Sequence, residues 1–218
     1  EVASAMGRQV HVIEFADRAL KRAVSKEVAD FLVEAQAKRG VMFRFSTGVV
    51  SLLGDNGKVA AVVTSEGQTL PADLVVVGVG VEPNMELAQD ADLDIDDGIV
   101  VNAQLLTSDP SISAIGDCAR FPVDFCPTPV RLESIQNAVD QARCVAARLA
   151  GKSAIDVKYS KVPWFWSDQG VNRLQIAGVS AANDAAVVRG DRSQGKFSVL
   201  RFRGERLTAV ESINSAAD

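Results

Sequence analysis

The sequence predicts an α/β fold that continues into an α+β tail built on a smaller antiparallel sheet. Two patterns indicate the α/β part. Strand-like and helix-like segments alternate between residues 9 and 149, and the Val-rich run at residues 73–80 is typical of a strand buried on both faces. The tail is predicted from residues 171–213, where short alternating segments are separated by turn residues.

The composition is that of an ordinary globular protein, with 47% hydrophobic and 23% charged residues among 218. A net charge of −5, one histidine and no block of Lys or Arg argue against nucleic acid or an anionic membrane as a partner. No apolar run approaches the roughly 20 residues that cross a bilayer. The three cysteines form no CxxC pair and no metal-ligand spacing, which predicts free thiols in a reducing cytoplasm and no metal site.

The first residues indicate a dinucleotide-binding unit. Residues 1–7 have the pattern of a helix end with a glycine cap, and because no Met begins them we expect a piece of a longer protein. Residues 9–14 form a short strand that ends in Glu14. In a βαβ dinucleotide unit such an acid binds ribose hydroxyls, although it could also be a solvated strand end. Arg18 and Arg22 follow, either near the adenosine side of a cofactor or in a solvated loop.

The next segments predict a helix and a small β meander. Ser25 is a good N-cap, and Gly40 is placed to end the helix. Its buried face is predicted to hold Val28, Phe31, Leu32 and Ala35. Three strands follow, at residues 41–45, 49–53 and 58–64, with a hairpin turn at residues 54–57.

The Val-rich strand at residues 73–80 ends in Gly78-Val79-Gly80. Glycine at both positions would let the backbone approach a flat ring closely. A further strand is predicted at residues 98–102.

The stretch Thr107–Asp117 is the one most suggestive of a ligand site. Its small apolar run, residues 112–115, predicts a short buried strand, and Gly116 lets the backbone approach a ligand at the end of that strand. Asp117 then offers a carboxylate at the carboxyl edge of a sheet, where open α/β sheets bind ligands. A strand followed by an Asp-capped turn is the alternative interpretation.

A Pro-bearing loop is predicted at residues 120–129, and a helix follows from Ser134 or Ile135 to the cap at Gly151. The start of this helix offers free N–H groups and a positive dipole end. Residues 152–160 are predicted as a linker or edge strand. The expected buried face of the helix consists of Ile135, Ala138, Ala142, Val145, Ala146 and Leu149.

Trp164 and Trp166 are two residues apart on an extended segment and should point to the same face. Such pairs are usually core residues. The last part of the chain is predicted to form an antiparallel meander, with strands at residues 171–178, 185–189, 196–202 and 207–213.

Five motifs in this order resemble the FAD-dependent pyridine nucleotide oxidoreductases of the ferredoxin reductase type, which include putidaredoxin reductase and rubredoxin reductase. The motifs are Glu1–Glu14, which begins with EVA, then DLVVVGVGVEPN, TSDPSISAIGD, RLESIQNA and PWFWSDQ. The resemblance covers the whole chain. It implies part of a Rossmann-like, glutathione-reductase-like fold with two dinucleotide-binding domains. Residues 1–80 would be the remainder of the NAD-binding domain, 81–160 a segment of the FAD-binding domain, and 161–218 a truncated interface domain.

The resemblance also implies site residues for FAD. Asp117, after Gly116, would hold a hydroxyl of the flavin ribityl chain. The N–H of Ile135, beside Ser134, would donate to flavin O2, while Glu133 would face the nicotinamide side and Trp164 would close the flavin pocket.

For NAD, the resemblance places Glu1 beside the nicotinamide, Glu14 on the adenosine ribose and Arg22 on the adenosine side. Gly78 and Gly80 would lie by the nicotinamide. Glu14 would repel a 2′-phosphate, which favours NADH over NADPH. Hydride transfer to flavin needs no acid or base, so no catalytic side chain is predicted.

The activity implied is electron transfer from NADH through FAD to a small [2Fe-2S] ferredoxin, or a similar carrier, of an oxygenase system. Other acceptors stay open, namely rubredoxin, a quinone or monodehydroascorbate, as does a redox-sensing binding protein of the apoptosis-inducing-factor kind. The disulfide-using branches are disfavoured because Cys118 has no partner. Because neither Gly-rich phosphate loop is present, we expect the chain by itself to be inactive and to hold no stoichiometric FAD. The oligomeric state is left open.

Overall fold

The computed structural model describes residues 1–124, 126–151 and 158–215. The predicted first strand and the helix capped by Ser25 are confirmed, and the helix joins this strand to a second, parallel one. The Ser25 side chain accepts a hydrogen bond from the N–H of Val28, and this bond satisfies one of the free donors of the first turn. These elements are helix α1 (Val2–Ala5), strand β1 (Val10–Ile13), helix α2 (Lys26–Ala37) and strand β2 (Val41–Arg44).

The predicted β meander is confirmed for residues 49–53 and 58–64, but its first predicted strand, residues 41–45, pairs with β1 instead, and residues 69–71 supply the third strand of the sheet. Asn56 and Gly57 have φ values of 48° and 78°, the left-handed pair that a tight two-residue hairpin requires. The antiparallel sheet consists of β3 (Val49–Asp55), β4 (Lys58–Thr64) and β5 (Thr69–Pro71), in that order.

The prediction of a doubly buried strand at residues 73–80 is wrong. The segment forms no strand and pairs with none of the described residues. Its side chains are largely in solvent, with Val76 86% and Val79 88% exposed. A Val-rich run becomes a buried strand only where neighbouring strands accept its hydrogen bonds and layers cover both faces, and the described residues supply neither.

The middle of the chain forms a small three-stranded sheet beside a long helix. Strand β6 runs parallel to β7, and β7 pairs with β8 antiparallel. The elements here are helix α3 (Glu86–Asp90), β6 (Ile99–Val100), a 3-10 turn (Gly116–Cys118), β7 (Ala119–Phe121), β8 (Val130–Arg131) and helix α4 (Ile135–Leu149).

In this region the predicted strand at residues 112–115 is wrong, whereas the predicted loop at residues 120–129 is confirmed in its described part except at its first two residues. Residues 112–115 are extended but form no strand, because only Ser113 bridges to Leu106. Of the apolar run, Ala114 alone is buried. The segment predicted as a loop starts with strand β7, which includes Arg120 and ends at the buried Phe121. The first proline of the loop, Pro122, follows immediately, and proline cannot donate to a strand ladder.

The buried face of α4 also differs from the prediction. Ile135 and Leu149, both expected in the core, are 69% and 75% exposed. The fully buried side chains of the helix are instead the amides Asn137 and Gln141. Apolar periodicity therefore misplaced the face, because these amides find hydrogen-bond partners in the segments beneath the helix.

The C-terminal antiparallel sheet is confirmed, with the order β11-β12-β13-β10-β9. Five strands build it: β9 (Trp164–Gln169), β10 (Asn172–Gly178), β11 (Ala185–Asp191), β12 (Lys196–Arg203) and β13 (Arg206–Ile213).

Two hydrophobic cores hold these parts together. The first joins α2 to the C-terminal sheet through residues such as Val28, Leu32, Phe197 and Ile213. The second lies under the β6-β7-β8 sheet and includes the fully buried Phe121.

Of the predicted linker or edge strand, residues 152–157 lie outside the described residues. Residues 158–160 form no strand, and the buried Tyr159 donates its backbone N–H to the carbonyl of Ala103 at 2.8 Å. In the described part of the chain, every helix is too short or too polar to cross a membrane.

Candidate functional site

The turn that carries Asp117 is held in a defined shape. Gly116 is buried and has a φ of 76°, a conformation that glycine adopts without strain. Its N–H donates to Oε1 of Gln141 at 2.7 Å. Asp117 itself is exposed, and its carboxylate makes no hydrogen bond or ion pair with the described residues. The turn therefore presents a carboxylate that is available to an external hydroxyl.

Arg131 ties this turn to Glu133. One guanidinium nitrogen, Nη1, donates to the backbone carbonyl of Asp117 at 3.1 Å and to Oε1 of Glu133 at 2.7 Å. The other, Nη2, lies 3.5 Å from Oδ1 of Asp97. The hydrogen bond that Arg131 donates to Glu133 and the nearby charge of Asp97 raise the pKa of Arg131, although desolvation opposes the shift. The cation stays charged and fixes two chain segments relative to each other.

The first turn of α4 faces the same region. Ser134 is the N-cap, and its side chain accepts a hydrogen bond from the N–H of Asn137. The N–H groups of Ile135 and Gln136 precede the first intrahelical bond and have no acceptor within the helix. The exposed start of α4 can therefore bind a negatively charged oxygen.

The two tryptophans lie beside this helix start. The Ser134 hydroxyl donates to the carbonyl of Trp164 at 3.2 Å, and the N–H of Trp164 donates to Oε1 of Gln136 at 3.2 Å. The rings of Trp164 and Trp166 are stacked at a centroid distance of 4.8 Å. Their common face is confirmed, but they are not core residues, since 38% and 43% of their surfaces are exposed.

Hydrogen bonds thus connect one group of the predicted site residues. Gly116 and Asp117 are joined through Arg131 to Glu133, and the adjacent Ser134 leads to Trp164. Together they offer a hydroxyl acceptor, helix N–H donors and an aromatic surface, which suit a polar chain attached to a flat, anionic ring.

The remaining predicted residues lie outside this hydrogen-bonded group. Glu14 follows β1, and its carboxylate accepts the N–H of Ala16 at 2.8 Å. Arg22 and Gly80 come together, because a Cβ built on Gly80 would lie 3.6 Å from Nη2 of Arg22. Gly80 has a φ of 101°, so it is the residue of this segment that most requires glycine.

Gly78 has nothing within 4 Å of the position that a Cβ would occupy, and Glu1 is exposed just before α1. Among the described residues, no hydrogen bond or ion pair links Glu1, Glu14, Arg22, Gly78 or Gly80 to the group around Asp117. The structure therefore connects the residues assigned to the flavin, together with Glu133, by hydrogen bonds, and it shows no such connection to the other residues assigned to NAD.

Sequence reasoning missed the residues that support the site. Arg131 holds Asp117 and Glu133, and two buried amides of α4, Asn137 and Gln141, hold the chain on either side. The signal was present in the sequence, because positions 134, 137 and 141 are spaced three and four apart and lie on one face of a helix. The buried face of α4 was predicted from the spacing of its apolar residues alone, and this spacing does not include the polar positions.

The chain belongs to the pyridine nucleotide-disulphide oxidoreductase family, whose model matches residues 1–142. A second model, described as "Reductase C-terminal", matches residues 164–218 and so covers the sheet that starts at β9. The three cysteines, Cys118, Cys126 and Cys144, are all free.

Among the relatives of this chain is the rhodocoxin reductase of Rhodococcus erythropolis, which is 48% identical over 100% of this chain and 51% of its own length. A ferredoxin reductase for the CYP199A2 system, from Rhodopseudomonas palustris, has a similar structure, with a TM-score of 0.93 and 45% identity over 100% of this chain and 53% of its own. The covalent putidaredoxin reductase–putidaredoxin complex gives a TM-score of 0.90 at 41% identity, over 98% and 52% of the two chains. The chain spans about half the length of the curated relatives it matches.

Proposed function

We propose that the chain forms part of an FAD-dependent reductase that takes electrons from NADH and passes them to a small [2Fe-2S] ferredoxin of an oxygenase system. The observation that carries this proposal is the hydrogen-bonded group around Asp117, Glu133 and the start of α4. The relatives support it, since a rhodocoxin reductase and a complex with putidaredoxin are among the proteins most similar to the chain.

The residues of this group fit FAD. Two observations carry the fit: the exposed, unpaired carboxylate of Asp117 and the free N–H groups at the start of α4. Asp117, positioned by Gly116, would accept a hydrogen bond from a ribityl hydroxyl. The N–H of Ile135, next to Ser134, would donate to the pyrimidine side of the ring, where a reduced flavin is negatively charged. Trp164 would cover the ring from solvent.

Glu133 and the remaining predicted residues would orient the nicotinamide cofactor. Glu133, held by Arg131, would face the nicotinamide, together with Glu1 and the backbone at Gly78 and Gly80. Glu14 would accept the adenosine ribose hydroxyls, and Arg22 would lie on the adenosine side.

When bound, FAD would supply the change from two-electron transfer, as a hydride from NADH, to one-electron transfer. Neither protein side chains nor the iron–sulfur partner perform this change. The chain contributes orientation and charge. Its helix start stabilises negative charge on the ring, its tryptophan face limits access of water, and no side chain has to donate or accept a proton.

The domain assignment follows the same proposal. Residues 1–80 would belong to an NAD-binding domain, 81–160 to an FAD-binding domain and 161–218 to the interface domain. A cytoplasmic location is consistent with the three free cysteines of the chain.

The test is turnover by the whole protein that contains this chain. Purified protein is mixed with FAD and NADH, and reduction of putidaredoxin is followed by absorbance. We expect NADH-dependent reduction of this ferredoxin that exceeds reduction of a rubredoxin or a quinone at equal concentration.

The outcomes separate the candidate functions. Preferential reduction of rubredoxin, a quinone or monodehydroascorbate would replace the proposed acceptor while keeping the enzyme class. A protein that binds FAD and NADH, forms a long-lived reduced complex and reduces none of these acceptors would instead be a redox-sensing binding protein.

A further inference from the structure

Helix α4 carries two buried amides at adjacent turns of one face. Asn137 and Gln141 are 0% exposed, whereas several apolar side chains of the helix are in solvent. A buried amide is unfavourable unless its polar atoms are hydrogen-bonded. The partners of these two side chains therefore indicate why the helix presents this face to the protein interior.

Gln141 bonds to the turn that carries Asp117. Its Oε1 accepts the N–H of Gly116 at 2.7 Å. The helix also packs closely against the same glycine, because a Cβ at Gly116 would lie 3.6 Å from the Cβ of Ala138. The peptide unit between Ile115 and Gly116, at the start of the turn that carries Asp117, is thus fixed by one short hydrogen bond and lies beside the Ala138 side chain.

Asn137 holds the other side of the site in the same way. Its Nδ2 donates to the carbonyl of Leu132 at 3.2 Å, and its Oδ1 accepts the hydroxyl of Tyr159 at 3.1 Å. Leu132 directly precedes Glu133. Burial raises the pKa of Tyr159 to about 12, with the nearby Asp140 adding to the shift, so the phenol stays protonated and remains a donor. Two successive turns of α4 therefore hold the two segments that carry Asp117 and Glu133.

We infer that Gln141 is a positioning residue for FAD binding, which acts by fixing the Gly116–Asp117 turn so that the Asp117 carboxylate is oriented towards the ribityl chain. This inference rests on the proposed function, since it assigns Gln141 to the same flavin site. It goes beyond that function because the hydrogen bond of Gln141 goes to the backbone of Gly116 and not to the Asp117 carboxylate.

One feature of Gln141 makes the inference specific. Its Nε2 is buried and has no hydrogen-bond partner among the described residues. Only the acceptor oxygen is used, so a side chain that keeps an oxygen in this place should preserve the function. Gln141→Glu retains that oxygen, whereas Gln141→Leu removes it at nearly the same size.

The decisive experiment is a double-mutant cycle in the whole flavoprotein. The variants are Gln141→Leu, Asp117→Ala and the two combined, and the quantity measured is the Kd for FAD of each folded apoprotein. We expect Gln141→Leu alone to raise the Kd by about tenfold, the size of one lost hydrogen bond. The double variant should have a Kd less than about twofold above that of Asp117→Ala alone. A residue that acts through Asp117 has no further effect once that carboxylate is gone.

Two further variants separate positioning from packing. Gln141→Glu should return the Kd to within about threefold of wild type. Gln36→Leu is the matched control, since Gln36 is also a buried amide on a helix, but its Nε2 contacts Gln169 on the C-terminal sheet. Gln36→Leu should lower the melting temperature of the apoprotein and leave the Kd for FAD unchanged.

The contrary results are distinct. If Gln141→Leu behaves like Gln36→Leu, or if its effect adds fully to that of Asp117→Ala, Gln141 is only a packing residue, and the inference fails while the proposed function stands. If the wild-type protein takes up no FAD, the proposed function fails and the inference with it. Should Gln141→Leu not fold, Gln141→Met, which offers only a weak acceptor, replaces it in the same cycle and is judged by the same criteria.

Discussion

Single residues that end a strand or begin a turn carry most of the proposed chemistry of this chain. Asp117 follows a buried glycine, and Glu14 follows β1 with its carboxylate bonded to the N–H of Ala16. Both positions combine a defined backbone with an acidic side chain near the end of a strand or extended segment. Such positions can be tested one at a time, because each carboxylate is proposed to bind a different cofactor.

Glu14 is predicted to set the preference for NADH. In the whole protein, Glu14→Ala should lower the ratio of kcat/KM for NADH to that for NADPH by about tenfold or more, because the acid both accepts ribose hydroxyl bonds and repels a 2′-phosphate. Steady-state rates with both cofactors measure this ratio. Glu66→Ala, which removes an exposed carboxylate in the turn before β5, is the control. An unchanged ratio in the Glu14 variant would remove this residue from the site.

At the level of elements, local signals predicted more than tertiary ones did. Ser25 caps α2 and the Asn56-Gly57 turn forms as expected, because the physical cause of each lies within a few neighbouring residues. The run at residues 73–80 was wrongly predicted as a buried strand, since burial depends on partners that a sequence pattern does not contain. The buried face of α4 was wrong for a related reason: the amides Asn137 and Gln141 are buried because of specific acceptors and donors that are distant in sequence.

The exposed Val-rich segment gives a prediction for the chain itself. Val77 is 70% exposed, so Val77→Asp should change the free energy of unfolding by no more than about 0.5 kcal/mol. Val199, which is 0% exposed in the first core, is the matched control, and Val199→Asp should prevent folding or destabilise the chain severely. Urea titrations of the three proteins make the comparison. A large loss of stability in the Val77 variant would restore the prediction of a buried strand.

A buried ion pair of the C-terminal sheet, Arg201 with Glu211, is connected by hydrogen bonds to the start of α2. Glu211 is 0% exposed, accepts the N–H of Ser25 at 2.7 Å and its hydroxyl at 2.5 Å, and lies 3.1 Å from Nη1 of the buried Arg201. Arg201 also donates to two carbonyls of the loop before β11. The N-cap residue of α2 is thus hydrogen-bonded to strand β13 of the C-terminal sheet.

Removing one partner of this pair should leave a buried charge without compensation. Glu211→Ala is expected to lower the free energy of unfolding of the chain by about 3–5 kcal/mol. Replacing both partners, as in Arg201→Met with Glu211→Leu, should be less damaging, because no unpaired charge remains. Chemical denaturation gives both values, and equal losses in the two proteins would contradict the importance of the charge pair.

At the scale of the whole molecule, the fold class and the order of its parts could be predicted from the sequence, because five motifs follow one another along the entire chain. The candidate flavin site could be predicted only in part. Asp117, Glu133 and Trp164 were identified by their motifs, whereas Arg131 and Gln141, which connect and support them, were not. Supporting residues carry no motif of their own, and their roles become visible only when distant segments are in contact.

The turn at Asp117 is proposed to bind flavin rather than to stabilise the fold. A charge-assisted hydrogen bond contributes roughly 1.5–3 kcal/mol, so Asp117→Ala in the whole protein should raise the Kd for FAD by about ten- to a hundred-fold. The melting temperature of the apoprotein should stay unchanged, since the carboxylate is exposed and has no partner among the described residues. Glu205→Ala, which removes an exposed carboxylate between β12 and β13, should alter neither quantity.

The most direct test is therefore to measure the Kd for FAD and the apoprotein melting temperature on the same Asp117→Ala protein. A weaker affinity for FAD at an unchanged melting temperature is the predicted result. A lower melting temperature with unchanged affinity would show that Asp117 serves only to cap its turn, and would contradict the assignment of this site to the flavin.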